Sequence, residues 1–177
     1  MHGESRMICK LSIADFQTIY DVVNEAAAAY RGKIPSDCWK EPYMSPQELE
    51  EEIKSGVQFY GYKQNGTVVA VMGIQPVGGV TLIRHAYTLT NHQRKGIGEK
   101  LLTHLLNLSQ SKRILVGTWI DAPWAIQFYN KHGFKLHNRK QTVKLLKKYW
   151  KIPKRQIETS IVLEYQRVRA SKNNLSV

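Results

Sequence analysis

Between residues 57 and 89 the chain reads as three β-rich runs in close succession, and this stretch constrains the fold most. Residues 57–63 and 67–74 flank Asn65-Gly66, a pair that favours a tight hairpin turn because both positions tolerate positive φ. Gly78-Gly79 then turns the chain into 80–89, a long run of β-branched and aromatic residues. Helical spacing lies on either side. Ser12 and Asp15 make a capping box ahead of Phe16, Ile19, Tyr20, Val23 and Ala27, which predicts a helix reaching Tyr30. Ser45-Pro46-Gln47-Glu48 starts a second helix, with Glu48, Glu50, Glu51 and Glu52 where the dipole favours carboxylates. Further on, Leu101, Leu102, Leu105 and Leu108 mark a helix, 114–118 a strand buried on both faces, and 124–131 a short helix stopped by Gly133. A strand near 134–137, a basic helix at 140–149 and a last strand at 159–165 follow, and a weaker strand at 7–11 opens the series. The order β-α-α-β-β-β-α-β-α-β-α-β predicts a mixed α/β fold.

A length of 177 residues suits one domain, expected to span 1–177 with its core at about 7–165 and a flexible tail at 166–177. No apolar run approaches the ~18 residues of a membrane span, and MHGESRMICK does not read as a secretory signal, so no membrane partner and a cytoplasmic location are expected. Cys9 and Cys38 are too few for a disulfide scaffold and are not spaced for metal. Charge divides the chain. Residues 1–90 hold 8 Lys and Arg against 10 Asp and Glu, whereas residues 91–177 hold 18 against 4. From 131 to 155 there are 10 basic residues and no acidic one. The second half therefore suits an anion, whether a nucleic acid or a small ligand with several phosphates.

A cradle for such an anion stands between the long strand and the Leu-rich helix, at Gln93-Arg94-Lys95-Gly96-Ile97-Gly98. Backbone N–H groups there can converge at a helix N-terminus, glycines let the main chain approach closely, and Arg94 and Lys95 add full charges. GxxxxGK[ST] and GxGxxG are both absent, which excludes a nucleotide-hydrolysing loop and a dinucleotide fingerprint. The plain alternative is a tight turn that happens to contain two glycines.

Gln-x-x-Gly-x-Gly after a strand resembles the acetyl-CoA pyrophosphate loop of the GNAT acetyltransferase superfamily, Q/R-x-x-G-x-G/A. Ala125-Ile126-Gln127-Phe128-Tyr129-Asn130-Lys131-His132-Gly133-Phe134 resembles that family's A-x-x-F/L-Y-x-x-x-G-F, and it begins 27 residues after Gly98. Leu82 to Tyr87 and Tyr149 to Ser160 look like a branch of the family whose substrate is poorly defined. The resemblance covers about residues 7–165.

It implies the GNAT fold: a twisted, mostly antiparallel sheet of about six to seven strands flanked by helices. It also implies an N-acetyltransferase that passes acetyl from acetyl-CoA directly to a primary amine, without metal. The acceptor could be a small molecule, a protein or peptide N-terminus, or a lysine. Pyrophosphate would rest on Gln93, Arg94, Lys95, Gly96, Ile97 and Gly98, and the main chain of Leu89 would hold the pantetheine arm. Tyr129 matches the family's proton donor to the leaving thiolate; its plain alternative is a core aromatic. The glutamate that many members place on strand four is missing between Val80 and Thr90, and His85 is the substitute base. A buried histidine bonded to backbone is the other reading of His85. Tyr30, Trp39, Glu41 and Tyr43 would form the acceptor pocket, with Glu41 holding an ammonium or Arg31 an acidic acceptor, unless these aromatics only cap the core. Two other readings stay open. The basic segment 140–155, with Tyr149 and Trp150, could bind RNA or serve an RNA- or ribosome-directed transferase. Alternatively, the domain could bind CoA without catalysis. A homodimer is compatible with either.

Overall fold

The computed structural model describes residues 5–167, so most of the tail expected at 166–177 lies outside the described residues. Seven strands, β1 (Arg6–Lys10), β2 (Gln58–Gln64), β3 (Thr67–Val77), β4 (Val80–Thr88), β5 (Arg113–Trp119), β6 (Lys135–Leu136) and β7 (Ser160–Gln166), form one sheet in the order β1-β2-β3-β4-β5-β7-β6. Every neighbouring pair is antiparallel except β4 and β5. The meander legible in 57–89 is its β2-β3-β4 half, with Asn65 and Gly66 both at positive φ in the first turn.

Helices α3 (Ile97–Leu108) and α4 (Pro123–Lys131) cover one face, burying Leu101, Leu102 and Leu105 against Ile83, Ile114 and Leu163. The other face carries two helix pairs side by side. Here α1 (Phe16–Ala27) and α2 (Pro46–Lys54) bury Ile19, Val23 and Leu49 against Phe59 and Val71. Next to them, α5 (Arg139–Tyr149) sets Leu145 and Leu146 on Val80, Leu82 and Val162, and the short α6 (Lys154–Thr159) follows it. The first predicted helix is divided. A 3-10 turn, Ile13–Asp15, carries the Ser12–Asp15 capping box, and another, Ala28–Tyr30, ends the element. Sequence spacing did not reveal α6.

One irregularity in the sheet shapes the site. Gly73 pairs with Arg84 and Val71 with Tyr87, so Met72 faces two residues, His85 and Ala86. This β-bulge holds His85 at φ 50°, the left-handed region that side chains avoid. Glycine is required opposite it, because a Cβ on residue 73 would lie 3.0 Å from the Arg84 carbonyl oxygen and 2.8 Å from Val57. Beyond the bulge β4 leaves β5. Their pairing runs from Thr81–Ile114 to Ile83–Val116 and stops, although both strands continue. The sheet therefore opens into a gap between β4 and β5.

Candidate active site

The cradle is built by the end of β4. A 3-10 turn, Thr90–His92, follows the strand; the His92 N–H donates to the Leu89 carbonyl at 2.8 Å, and Gln93 Nε2 donates to the Thr88 carbonyl at 3.1 Å. Arg94 at φ 59° and Gly96 at φ 74° curl the main chain over the start of α3. Gly96 is the N-cap and brings no side chain to cap the helix. The N–H groups of Ile97, Gly98 and Glu99 therefore find no acceptor among the described residues, at the positive end of the dipole. Lys95 turns away, its Nζ donating to the Asn91 carbonyl at 2.9 Å.

These groups face a cleft of about 680 Å³, lined by Gln93, Arg94, Gly96, Ile97 and Gly98 at one end and by Tyr30, Tyr87, Thr88, Phe128 and Tyr129 at the other. Lys95 and Leu89 are not among its lining residues. Leu89 is in fact spent on the fold: its N–H donates to the Val69 carbonyl at 2.9 Å and its carbonyl accepts from His92. Because antiparallel pairing alternates, the main-chain groups that β4 turns toward the gap are those of Ala86 and Thr88. Leu89, expected to hold the pantetheine arm, has both main-chain groups bonded within the fold and turns neither into the gap.

Tyr129 projects from α4 to where the cleft meets a second space. Its ring packs on Phe128 and Phe134, and its hydroxyl makes no hydrogen bond among the described residues. Burial pushes that hydroxyl's pKa up, so it stays protonated and available as a donor.

The second space is a hollow of about 130 Å³ within the β4–β5 gap, continued outward by another 80 Å³ or so. Tyr30 lines the cleft and both parts of the hollow. It stacks on Trp124 at 5.9 Å and meets Tyr43 and Tyr87 at 5.5 and 6.3 Å between ring centres. Tyr43 braces the cluster from behind, accepting from Trp119 Nε1 at 2.8 Å. Trp39 stacks on Tyr43 outside the hollow, and Glu41 pairs with Arg31 at the surface with 66% of its side chain exposed. Of the four expected acceptor residues, only Tyr30 lines the space; Tyr43 supports it, while Trp39 and Glu41 stand apart. The opposite wall comes from Trp150, Ile152 and Gln156, which the sequence did not assign to the acceptor. Their signal was weak: an apolar and amide pattern after the helix, within the segment that carried the family resemblance.

His85 lines the hollow, but its ring nitrogen is turned to α2. The bulge turns its ring onto Phe59, at 5.9 Å, and toward Glu52 of α2, with Nε2 3.1 Å from Oε2. Arg84 reaches the same carboxylate, donating to Oε1 at 2.8 Å and to the Gln75 side chain at 2.8 Å. Simple alternation would put Arg84 and His85 on opposite faces, but the bulge gives them one partner. Burial lowers the His85 pKa against the pull of Glu52.

The basic run also divides. Lys131 lines the cleft. Lys140, Lys144, Lys147 and Lys148 are exposed on α5, whose buried side packs on the sheet face opposite α3. Most of that charge cannot reach a ligand on the cradle. Among the described residues no cluster of three or more His, Cys, Asp or Glu could hold a metal ion, and no helix is long and apolar enough to cross a membrane.

The family model for the acetyltransferase (GNAT) domain matches residues 20–147. No curated protein matches the sequence. Among solved structures, the chain is similar to the PaiA N-acetyltransferase of Thermoplasma acidophilum in complex with coenzyme A, at 20% identity and TM-score 0.70 over 92% of this chain and 99% of that one. The ribosomal-protein-S18-alanine N-acetyltransferase of Escherichia coli gives 18% identity and TM-score 0.68 over 96% and 98%. A GNAT family acetyltransferase from Elizabethkingia anophelis with acetyl-CoA bound gives 18% and 0.64 over 92% and 98%. At these identities the likeness is one of fold.

Proposed function

The chain belongs to the GNAT family of acetyltransferases and is an acyltransferase, and on that footing we propose that it carries acetyl from acetyl-CoA to a primary amine in the β4–β5 gap. One observation carries the reading: a single cleft joins the unpaired N–H groups at the start of α3 to the free hydroxyl of Tyr129. Pyrophosphate suits the first end, where helix dipole, Arg94 and the exposed main chain all favour anions. The second end suits acyl transfer. Acetyl-CoA supplies an acyl thioester when bound.

Ala86 and Thr88 turn main-chain groups into the gap, and the Thr88 N–H can donate to a carbonyl oxygen gaining negative charge. Tyr129 hands its proton to the departing sulfur as the carbon–sulfur bond breaks and the carbon–nitrogen bond forms. The amine gives up a proton in exchange. The hollow favours this, because a lining without carboxylates disfavours the ammonium form and keeps the nitrogen neutral. His85 braces the bulge and leaves proton removal to solvent.

The test is Tyr129→Phe, which removes one oxygen and keeps the ring. Its kcat for CoA release should fall by ~10²–10⁴, the range for a positioned acid, with acetyl-CoA affinity unchanged. Equal kcat would remove Tyr129 from the chemistry. A second reading, an RNA- or ribosome-directed transferase, is favoured only by the exposed lysines of α5. It calls for acetylation of an RNA-bound acceptor that weakens steeply with salt.

A further inference from the structure

The hollow differs from the cleft in what it lacks. Among the residues lining its two parts only Arg84 and His85 can carry a positive charge, and both already face Glu52, with Arg84 also donating to Gln75. No lining carboxylate waits for an ammonium, and no free cation waits for a carboxylate. The polar groups left open are neutral. The Gln156 amide and the Trp150 indole N–H make no side-chain hydrogen bond among the described residues, yet both line the inner and outer parts of the space. Rings supply the rest of the wall: Tyr30 on one side, Trp150 on the other and Tyr129 at the throat. At about 30 Å³ per water-sized group, spaces of about 130 and 80 Å³ hold roughly seven such groups.

We infer that the acceptor is a compact primary amine with an uncharged, largely apolar body, and that Trp150 and Gln156 determine its selection. The inference rests on the acetyl-transfer reading above and names the substrate class of that site. Aromatic walls pack the body, and the amide and indole N–H lie against its ring face as weak donors while the nitrogen points to the throat. A second ammonium or a carboxylate would be desolvated there without a partner, which costs more than packing returns.

Gly117 sets the volume. It lies on β5 beneath Trp150, and a Cβ there would sit 3.6 Å from Trp150 and Leu146. Adding a β-branched side chain at this strand position fills the hollow.

The experiment measures CoA release with 2-phenylethylamine, phenylalanine, 1,4-diaminobutane and a ten-residue peptide with a free N-terminus. Acetyl-CoA binding is measured in parallel by calorimetry. We expect kcat/KM for 2-phenylethylamine to exceed each of the others at least tenfold. Gln156→Leu should raise its KM about threefold with acetyl-CoA affinity unchanged. Gly117→Val should lower the ratio of 2-phenylethylamine to ethylamine turnover at least tenfold, whereas a folding defect would lower both together. Comparable use of phenylalanine, the diamine or the peptide overturns the inference. So does an unchanged amine ratio in Gly117→Val, an unchanged KM in Gln156→Leu, or no turnover of any of these amines by a protein that binds acetyl-CoA. Failure to bind acetyl-CoA at all overturns the underlying reading instead.

Discussion

Gly98→Asp should move two properties of the protein in opposite directions. Residue 98 is the second residue of α3, and its N–H is among the three without an acceptor. A Cβ there would meet only the Phe128 ring, at 3.5 and 3.6 Å, which is ordinary contact. The fold therefore accepts the side chain. In the free protein a carboxylate in the first helical turn gains ~0.3–1 kcal/mol from the dipole, and replacing glycine by aspartate adds ~0.3 kcal/mol. With ligand the sign reverses. At about 6 Å and an effective dielectric near 20, a carboxylate and one phosphate charge repel by ~3 kcal/mol, about two decades in affinity. Full aqueous screening leaves ~0.7 kcal/mol, or about threefold. Calorimetric titration with acetyl-CoA should thus show roughly a hundredfold loss, while thermal unfolding of the free variant shows an equal or higher midpoint. Gly98→Asn separates charge from bulk, because it has the same shape and should retain most of the affinity. If Gly98→Asp binds acetyl-CoA within threefold of the parent while folded, the ligand does not rest on α3. If Asn and Asp lose affinity equally, sterics and not the dipole explain the site.

His85→Gln can still bond Glu52, so its pH–rate profile should match the parent's; activity that recovers only at high pH would restore His85 as the base. Glu164 tests the far side of the sheet: Arg113 holds it in a two-point pair, His137 Nε2 lies 2.7 Å away, and its pKa is lowered to about 2 from the ordinary 4.5. Because the folded value lies below the unfolded one, its stabilisation is present above pH 4.5 and lost as pH falls toward 2. The parent's advantage over Glu164→Gln in urea unfolding should be about 1–2 kcal/mol at pH 7, discounted because Arg113 is 42% exposed, and should vanish near pH 2. An advantage independent of pH would mean that packing, not charge, holds Glu164.

What could be read in the chain was local. The hairpin at Asn65-Gly66, the capping boxes at Ser12 and Ser45, and the glycine cradle each rest on residues within a few positions, and each forms where the sequence places it. The bulge could not be read from β4 alone, since it depends on Gly73 of the neighbouring strand leaving room for the Arg84 carbonyl. That one extra residue brought Arg84 onto Glu52 and turned the His85 ring toward the same carboxylate. Glu41 and Trp39 had suitable chemistry, but Arg31 and Tyr43 hold them outside. Gln156 and Trp150 lie 30 or more positions from the β5 residues they face, too far for periodicity to show.

The parting of β4 from β5 also gives the sheet more edges than its strand order suggests. Besides the outer edges at β1 and β6, two inner ones run past Ile83 and Val116 with backbone donors and acceptors unmatched across the gap. An exposed edge invites another chain to add on. β6 limits that risk by being two residues long, but the inner edges are limited only by what encloses them, the Tyr30 turn on one side and α4 on the other. The fold thus shelters inside itself an edge that on the outside of a sheet would be open to any passing strand.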